Sequence, residues 1–299
     1  MKIPDKSIIS RFFQDLQDTI TQEVETLDGV SVFTEEKWQR PEGGGGRSRT
    51  ILDGRIFEKG GVNFSEVSGP LPGKLKESFQ VDQDEFYATG ISLVFHPRNP
   101  LVPITHMNLR YFEVGESQRW FGGGIDLTPH YVVADEAREF HNKLKTVCDL
   151  HHKRYYPDFK KWADNYFFIP HRKETRGIGG IFFDRLKEAP ETGLDEIFSF
   201  VQDLGKAFTG IYLPLVTRNF EKSFTPEEKE WQLHRRSRYV EFNLVYDAGT
   251  RFGLETNGRV ESILMSLPPL ASWKPDRQAL PGSPEAFTLS MLKKDIDWV

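Results

Sequence analysis

The sequence predicts an α+β fold in which a large, mostly antiparallel sheet is flanked by helices on both sides. Three observations indicate this class. Strand-like segments follow one another through short turns, long helical segments lie between an early and a late group of strands, and no proline-, glycine- or serine-rich linker divides the chain. We therefore expect residues 1–299 to form a single domain, and this length is sufficient for one large core.

The first half of the chain contains one helix and then a series of strands. Apolar residues at helical spacing and a stop at Gly29 predict a helix over residues 7–29. Residues 49–69 indicate two strands joined by a turn at Asp53 and Gly54. Three more strands are expected at residues 88–97, 104–115 and 119–129.

The second half is predicted to be helical before it returns to strands. Helical patterns cover residues 135–152 and 193–218, and another helix begins with Pro226 after a Thr225 cap. The next expected strands are at residues 238–247, 252–258 and 260–268, and the C-terminal segment 283–299 is again predicted to be helical.

Composition excludes several classes of protein. A net charge of −5 gives no general attraction to nucleic acid or to acidic membranes, so we expect neither as a partner. The single cysteine, Cys148, excludes an intramolecular disulfide, fits a reducing compartment and is interpreted as a buried structural residue. The N-terminal segment has no apolar signal-like region, and no run approaches about 18 apolar residues. A cytoplasmic protein without membrane insertion is therefore expected.

Four consecutive glycines, residues 43–46, precede Arg47 and Arg49. The segment matches neither the P-loop pattern nor the dinucleotide-binding pattern, which excludes the usual nucleotide loops. Arginine recognises carboxylates through paired hydrogen bonds. We interpret the glycines as a loop near a carboxylate-rich ligand that Arg47 or Arg49 helps to hold, with a plain surface hairpin as the alternative.

Polar side chains are expected to converge on one face of the sheet. Alternate side chains of a strand share a face, which groups His106 with Asn108 and Arg110. The same rule groups Ser92 with His96 on the preceding strand. Either set alone is equally consistent with a solvated face, but pairing of the two strands would bring all five together.

Asp126 and the histidines are further candidates. Asp126 follows glycines 122–124, which leave room for a bulky ligand or for a sharp bend, and it either caps a turn or serves as a functional carboxylate. Burial is expected to raise its basicity. The well-separated histidines form no local metal motif, so a metal site requires the fold to gather them. These histidines are His96, His106, His141 and His171.

Several longer segments together resemble one family, the oxygen-dependent coproporphyrinogen III oxidases. The segments read HPRNP, THMNLRYFEV, WFGGGIDLTP, KKWADNYFFIPHRKETRGIGGIFFD and YVEFNLVYDAGTRFGLETNGRVESILMSLPP. The similarity extends from about residue 30 to the C-terminal DWV. The resemblance implies that two propionates of coproporphyrinogen III are oxidatively decarboxylated to vinyls in haem biosynthesis. It also implies that molecular oxygen is the oxidant and that the products are protoporphyrinogen IX and CO2.

The resemblance also implies cofactors, an assembly and roles for residues. It implies no haem, flavin or nicotinamide. It allows a divalent metal cation bound by His96, His106, His141 and His171. It implies a homodimer to which about residues 239–274, beginning at Tyr239 and ending at Lys274, contribute. His106 corresponds to the proton donor, and Asp126 to an aspartate that acts as a base or anchors the pyrrole nitrogens. The corresponding substrate contacts are Ser92, Asn108, Arg110, Asn257, Gly258 and Arg259.

The chain departs from the family pattern at two positions and leaves two other functions open. Ala248 stands where the family usually has arginine, and Ala163 replaces the usual cysteine. A tetrapyrrole with four carboxylates needs an apolar floor and cations at the rim, which Arg110, Arg176 and Arg259 would supply. The alternatives are a histidine-ligated metal oxygenase that acts on another flat acid and a tetrapyrrole carrier without catalysis.

Overall fold

A computed structural model describes residues 4–71, 73, 76, 83, 85–115, 118–190, 192–255 and 258–299. The strands are β1 (Thr34–Gln39), β2 (Gly44–Leu52), β3 (Phe57–Pro70), β4 (Glu85–Pro97), β5 (Ile104–Val114), β6 (Gln118–Thr128), β7 (Phe168–Ile169), β8 (Glu174–Thr175) and β9 (Gly180–Leu186). Seven of them form one antiparallel sheet in the order β1-β2-β3-β4-β5-β6-β9, and β7 pairs with β8 in a small second sheet.

Eight helices occur in the described part of the chain, and they cover both faces of the sheet. They are α1 (Lys6–Asp28), α2 (Ala134–His151), α3 (Tyr155–Tyr166), α4 (Leu194–Asn219), α5 (Pro226–Val245), α6 (Ala248–Glu255), α7 (Val260–Leu264) and α8 (Pro284–Met291). The architecture confirms the predicted α+β class with helices on both sides of an antiparallel sheet. No helix among these residues is long and apolar enough to span a membrane.

One face of the large sheet is apolar and forms the main core with α1, α2 and α4. Alternate strand residues contribute to this core and are almost completely buried, among them Val62, Leu93, Met107, Leu109 and Phe121. Burying such a side chain stabilises the fold by about 1.5–3 kcal/mol. A register slip of one residue would exchange these side chains for the polar ones between them, so the core fixes which residues face the other side.

Most of the predicted elements are confirmed by local interactions. The α1 helix begins after Asp5, whose carboxylate accepts a hydrogen bond from the Ser7 amide, and it ends at Gly29 with φ of 70°. The turn between β2 and β3 contains Asp53 with φ of 53°. The α5 helix begins with Pro226 after the Thr225 cap, as expected.

The prediction of three late strands within residues 238–268 is wrong for the part of this range that the structure describes; residues 256–257 lie outside it. The α5 helix continues to Val245, and α6 and α7 cover most of the remaining segments. The buried side chains of α5 lie three or four residues apart, which is the spacing of one helix face: Trp231, Arg235, Tyr239 and Phe242. The apolar residues of this segment also alternate, so its pattern fits a strand as well. The C-terminal helix is confirmed only as α8, which ends at Met291.

Candidate active site on the polar face of the sheet

The face of the sheet opposite the main core carries hydrogen-bonding side chains in rows across the strands. Ser92 on β4 pairs with Asn108 on β5, and the same row continues to Asn63 on β3 and Ser48 on β2. Directly paired residues point to the same face, and the strands are about 4.8 Å apart, so this row spans about 14 Å. We call this surface the polar face, defined by Ser48, Asn63, Ser92, His106, Asn108, Arg110 and Asp126. The predicted pairing of the two polar strands is confirmed.

Asp126 is the centre of a buried network on this face. Its Oδ1 lies 2.9 Å from Nδ1 of His106, and its Oδ2 accepts a hydrogen bond of 2.7 Å from Nη2 of Arg176. Arg176 also donates to Oδ1 of Asn243 at 2.7 Å. The centres of three aromatic rings lie within 4.7 Å of its guanidinium carbon, those of Phe167, Tyr239 and Phe242. These contacts hold the carboxylate and the imidazole in fixed positions.

The ion pair keeps Asp126 ionised. Burial raises the pKa of Asp126, but the charge of Arg176 and the hydrogen bond with His106 together lower it by more, and the pKa lies below its ordinary value. The expectation that burial would increase the basicity of Asp126 is therefore wrong, because the ion pair outweighs desolvation. His106 is 22% exposed and contacts Asp126 through Nδ1, which leaves Nε2 for a ligand.

Arg110 is held by two neighbours on the polar face. Its Nη1 donates to Oδ1 of Asn108 at 2.7 Å, and its Nη2 donates to Oδ1 of Asp184 at 2.8 Å. The ion pair crosses directly above Gly122, where an added Cβ would lie 2.7 Å from the Asp184 carboxylate and 2.9 Å from Nε of Arg110. A side chain at this position would displace the guanidinium and the carboxylate from the strand.

Arg259 reaches the outer end of the polar row. Its Nη1 donates to Oγ of Ser262 at 2.9 Å, and that hydroxyl lies 3.0 Å from Oγ of Ser48. Its Nη2 forms an ion pair with Glu36. The Gly258 amide donates a hydrogen bond of 2.8 Å to the Gly253 carbonyl, and the predicted contact Asn257 lies outside the described residues.

A cavity of about 690 Å³ lies away from the polar face, between α1 and the sheet. It is lined by Ser7, Ile8, Ser10, Arg11, Phe12, Gln14, Asp15, Glu66 and Gln202. Glu66 accepts hydrogen bonds from Ser10 and Tyr87. Two carboxylates and one arginine line this cavity, a combination that does not suit a ligand with four negative charges.

A family model described as coproporphyrinogen III oxidase matches residues 8–298. The chain belongs to the coproporphyrinogen III oxidase family. Membership confirms the resemblance and indicates an oxidoreductase of porphyrin and haem biosynthesis whose substrate is coproporphyrinogen III.

The four histidines that the family resemblance assigns to a metal do not meet within the chain. His106 lies on the polar face, His141 is on α2, and His171 lies between β7 and β8. Among the described residues, no group of three or more His, Cys, Asp and Glu side chains could hold a metal ion. The residues present therefore do not fit a four-histidine metal site within one chain.

Two of these histidines are buried and bonded to the protein. His96 Nε2 lies 2.8 Å from the Ser266 carbonyl, and His141 lies 3.0 Å from both the Tyr156 hydroxyl and the Ile178 carbonyl. Burial lowers the pKa of His96 far below its ordinary value and lowers that of His141 to about 3. Both imidazoles are neutral hydrogen-bonding groups of the fold.

The third of these histidines, His171, contacts Glu241, which provides a test of pH dependence. Burial raises the pKa of Glu241, but hydrogen bonds from Arg172, His171 and Trp273 lower it by more, to about 2. A carboxyl group with a lowered pKa stabilises the fold above its unfolded pKa, near 4.5, and this stabilisation is lost as pH falls toward the folded pKa. Glu241→Gln should therefore lower the free energy of unfolding at pH 6, with a deficit that disappears between pH 4.5 and about 2. Urea unfolding across this range measures the deficit. Glu23→Gln, which changes an exposed side chain of α1, is the control, and a deficit independent of pH would contradict the assignment.

The two departures from the family pattern have different surroundings. Ala163 has no thiol, and its methyl group is fully buried in a cluster with Phe167 and Phe242. Ala248 begins α6, and its amide donates to the Tyr166 hydroxyl at 3.0 Å. Cys148 is also buried, which confirms its interpretation as structural, and burial raises its pKa to about 12.

Arg47 or Arg49 was expected to help hold a substrate carboxylate, with a plain surface hairpin as the alternative. The positions of both arginines contradict the first interpretation, and the antiparallel pairing of β1 with β2 agrees with the hairpin. Residues 44–46 belong to strand β2 rather than to a loop. Arg49 forms ion pairs of 2.7 Å with both Asp18 and Glu35, and Arg47 donates to the Gln14 carbonyl of α1 at 2.9 Å. Both arginines point toward α1, on the side of the sheet opposite the polar face.

Replacing Arg49 by alanine should therefore leave the KM for coproporphyrinogen III unchanged within about twofold. The variant should lose about 1–2 kcal/mol of stability, because Arg49 holds two carboxylates and Thr21 at the edge of the core. Steady-state kinetics and urea unfolding measure the two effects. Arg110→Ala is the matched control on the polar face, and a large increase in KM for Arg49→Ala alone would contradict this placement.

Sequence reasoning did not identify two partners of the site residues. Arg176 was recognised only as a rim cation, although it is buried and paired with Asp126. Asp184 was not identified at all. A signal existed for each, since Arg176 lies in the family signature and Asp184 is the polar residue that ends the apolar segment IFFD.

Proposed function

We propose that this protein is an oxygen-dependent coproporphyrinogen III oxidase that converts two propionates of its substrate to vinyls. The observation that carries the proposal is the ionised Asp126, fixed between His106 and Arg176 on the same face of the sheet as the partly exposed side chains of Asn108 and Arg110. Family membership supplies the substrate. Molecular oxygen as co-substrate and the absence of haem, flavin and nicotinamide are parts of the proposal.

The reaction balances with oxygen as the only oxidant. Each propionate loses its carboxylate as CO2. It also loses one hydrogen from the methylene carbon that is bonded to the pyrrole ring, and the remaining two carbons become a vinyl. Dioxygen accepts the two electrons and two protons as hydrogen peroxide, with one proton taken from solvent. The protein must therefore hold the propionate, stabilise positive charge on an electron-rich pyrrole and move a proton.

The polar face offers a group for each of these tasks. Arg110 binds a propionate, because hydrogen bonds to a carboxylate contribute about 1.5–3 kcal/mol each. Asp126 stabilises positive charge on the pyrrole electrostatically from a preorganised position. His106 exchanges a proton through Nε2 while Asp126 fixes its Nδ1. Side chains of the protein carry out these three tasks, and dioxygen accepts the electrons.

A homodimer is the proposed assembly. Among the described side chains of residues 239–274, six large apolar ones are at least 42% accessible: Leu244, Val245, Leu254, Val260, Leu270 and Trp273. Large exposed apolar side chains mark a protein interface where they form one patch. Light scattering of the purified protein should give twice the chain mass, and Val245→Asp should shift the mass toward one chain. A cytoplasmic location remains a prediction from the single cysteine and from the lack of a signal-like or long apolar segment in the sequence.

The test of function is incubation of the purified protein with coproporphyrinogen III in air and under argon. We expect two CO2 per protoporphyrinogen IX in air, measured by gas release and by porphyrin fluorescence after oxidation, and binding without CO2 release under argon. Release of CO2 under argon would contradict oxygen dependence, and binding in air without CO2 would indicate a carrier. Stoichiometric metal with complete loss of activity on chelation would favour the metal oxygenase.

A further inference from the structure

Asp184 places a negative charge beside the arginine that the proposed function assigns to a substrate carboxylate. Its Oδ1 accepts a hydrogen bond of 2.8 Å from Nη2 of Arg110. The two side chains are 33% and 35% exposed, so both remain accessible to a ligand on the polar face. Gly122 beneath them allows this arrangement, because a Cβ there would contact both charged groups.

Asp184 differs from the other carboxylate of this part of the face. Both oxygens of Asp126 have partners, and its side chain is only 3% exposed. Asp184 instead lies at the surface and shares the guanidinium with any ligand that Arg110 binds. The same arrangement recurs at the far end of the row, where Glu36 pairs with Arg259. Each rim arginine is thus already balanced by one acidic side chain.

This balance limits how many carboxylates the Arg110 end can accept. One ligand carboxylate gives a local net charge of −1 with Arg110 and Asp184, which hydrogen bonds to the guanidinium can offset. A second carboxylate on the same ring would place another negative charge near Asp184, and the two would repel each other. Repulsion between like charges is a common source of binding specificity. Each ring of coproporphyrinogen III carries one propionate next to a methyl group. A porphyrinogen with acetates in place of the methyls carries two neighbouring carboxylates on each ring.

We propose that Asp184 is a specificity-determining residue that makes the Arg110 end of the polar face accept rings with one carboxylate and reject rings with two. The proposal rests on the proposed function, which identifies the ligand of Arg110. It adds that discrimination comes from repulsion by the Asp184 carboxylate and does not require a difference in cavity size.

Equilibrium binding under argon tests the proposal without turnover. Quenching of the intrinsic fluorescence, to which six tryptophans contribute, gives dissociation constants for coproporphyrinogen III and for the octacarboxylate porphyrinogen with acetates in place of the methyls. We expect Asp184→Asn to reduce the preference for the tetracarboxylate by about tenfold, mainly through tighter binding of the octacarboxylate. Asp184→Glu, which keeps the charge, should retain most of the preference.

The matched control is Asp135→Asn, which removes a carboxylate that is 93% exposed and paired with Arg138 on α2. It should leave the preference unchanged. An equal preference in wild type and folded Asp184→Asn would overturn the proposal, as would loss of the preference in Asp184→Glu with its thermal stability intact. Failure of the proposed function is a separate result, because it would appear as absent CO2 release by the wild type in air.

Discussion

Asp126→Asn is expected to lower turnover of coproporphyrinogen III by about 100- to 1000-fold, the range typical of removing one preorganised electrostatic group. Asparagine retains a hydrogen-bonding oxygen but no charge, so positive charge on the pyrrole loses its stabilisation. The substitution also leaves the Arg176 guanidinium buried without its anion, which costs up to about 3–5 kcal/mol of stability. Single-turnover kinetics and thermal unfolding measure the two effects.

A double variant separates catalysis from stability in this experiment. Arg176 lies among three aromatic rings, which methionine can also contact. Replacing a buried ion pair by uncharged side chains is often neutral for stability. We therefore expect Asp126→Asn with Arg176→Met to recover stability but not turnover. Recovery of turnover together with stability would mean that Asp126 serves only the fold.

His106→Gln is expected to lower turnover by about 100-fold, because it removes a positioned proton donor. Glutamine can still donate a hydrogen bond to Asp126, so the network and substrate binding should persist. Loss of a proton-transferring side chain also changes the pH–rate profile, which is measured by kcat from pH 5 to 9.

The control for this variant is His152→Gln, which changes an exposed histidine at the end of α2. It should retain the wild-type rate and profile. A His106→Gln enzyme with reduced rate but an unchanged pH profile would contradict proton transfer by His106.

The polar face could be predicted from sequence because strand geometry is simple. His106, Asn108 and Arg110 alternate with Met107 and Leu109, and only one register buries the apolar set. The same rule could have corrected the interpretation of Arg49. Ile51 lies two residues further along β2 and is buried in the core, so Arg49 must share the core side of the sheet.

Other features depend on contacts that no local pattern encodes. Asp126 and Arg176 are 50 residues apart, and their pairing follows from the way β9 and the preceding loop pack beside β6. The direction of the Asp126 pKa shift depends on this pairing. Because the pairing is not visible in the sequence, the prediction from the sequence took only burial into account. The strand prediction after Tyr239 is wrong for another reason. The apolar residues of this segment fit both a helix and a strand, and tertiary packing selects the helix.

The location of a bound tetrapyrrole tests the central claim most directly. We expect crystals grown under argon with coproporphyrinogen III to show the macrocycle over the row from Ser92 to Asn108, with one carboxylate in contact with Arg110. Density for the macrocycle in the cavity beside Ser10 and Glu66, with the polar face empty, would contradict this assignment of the active site.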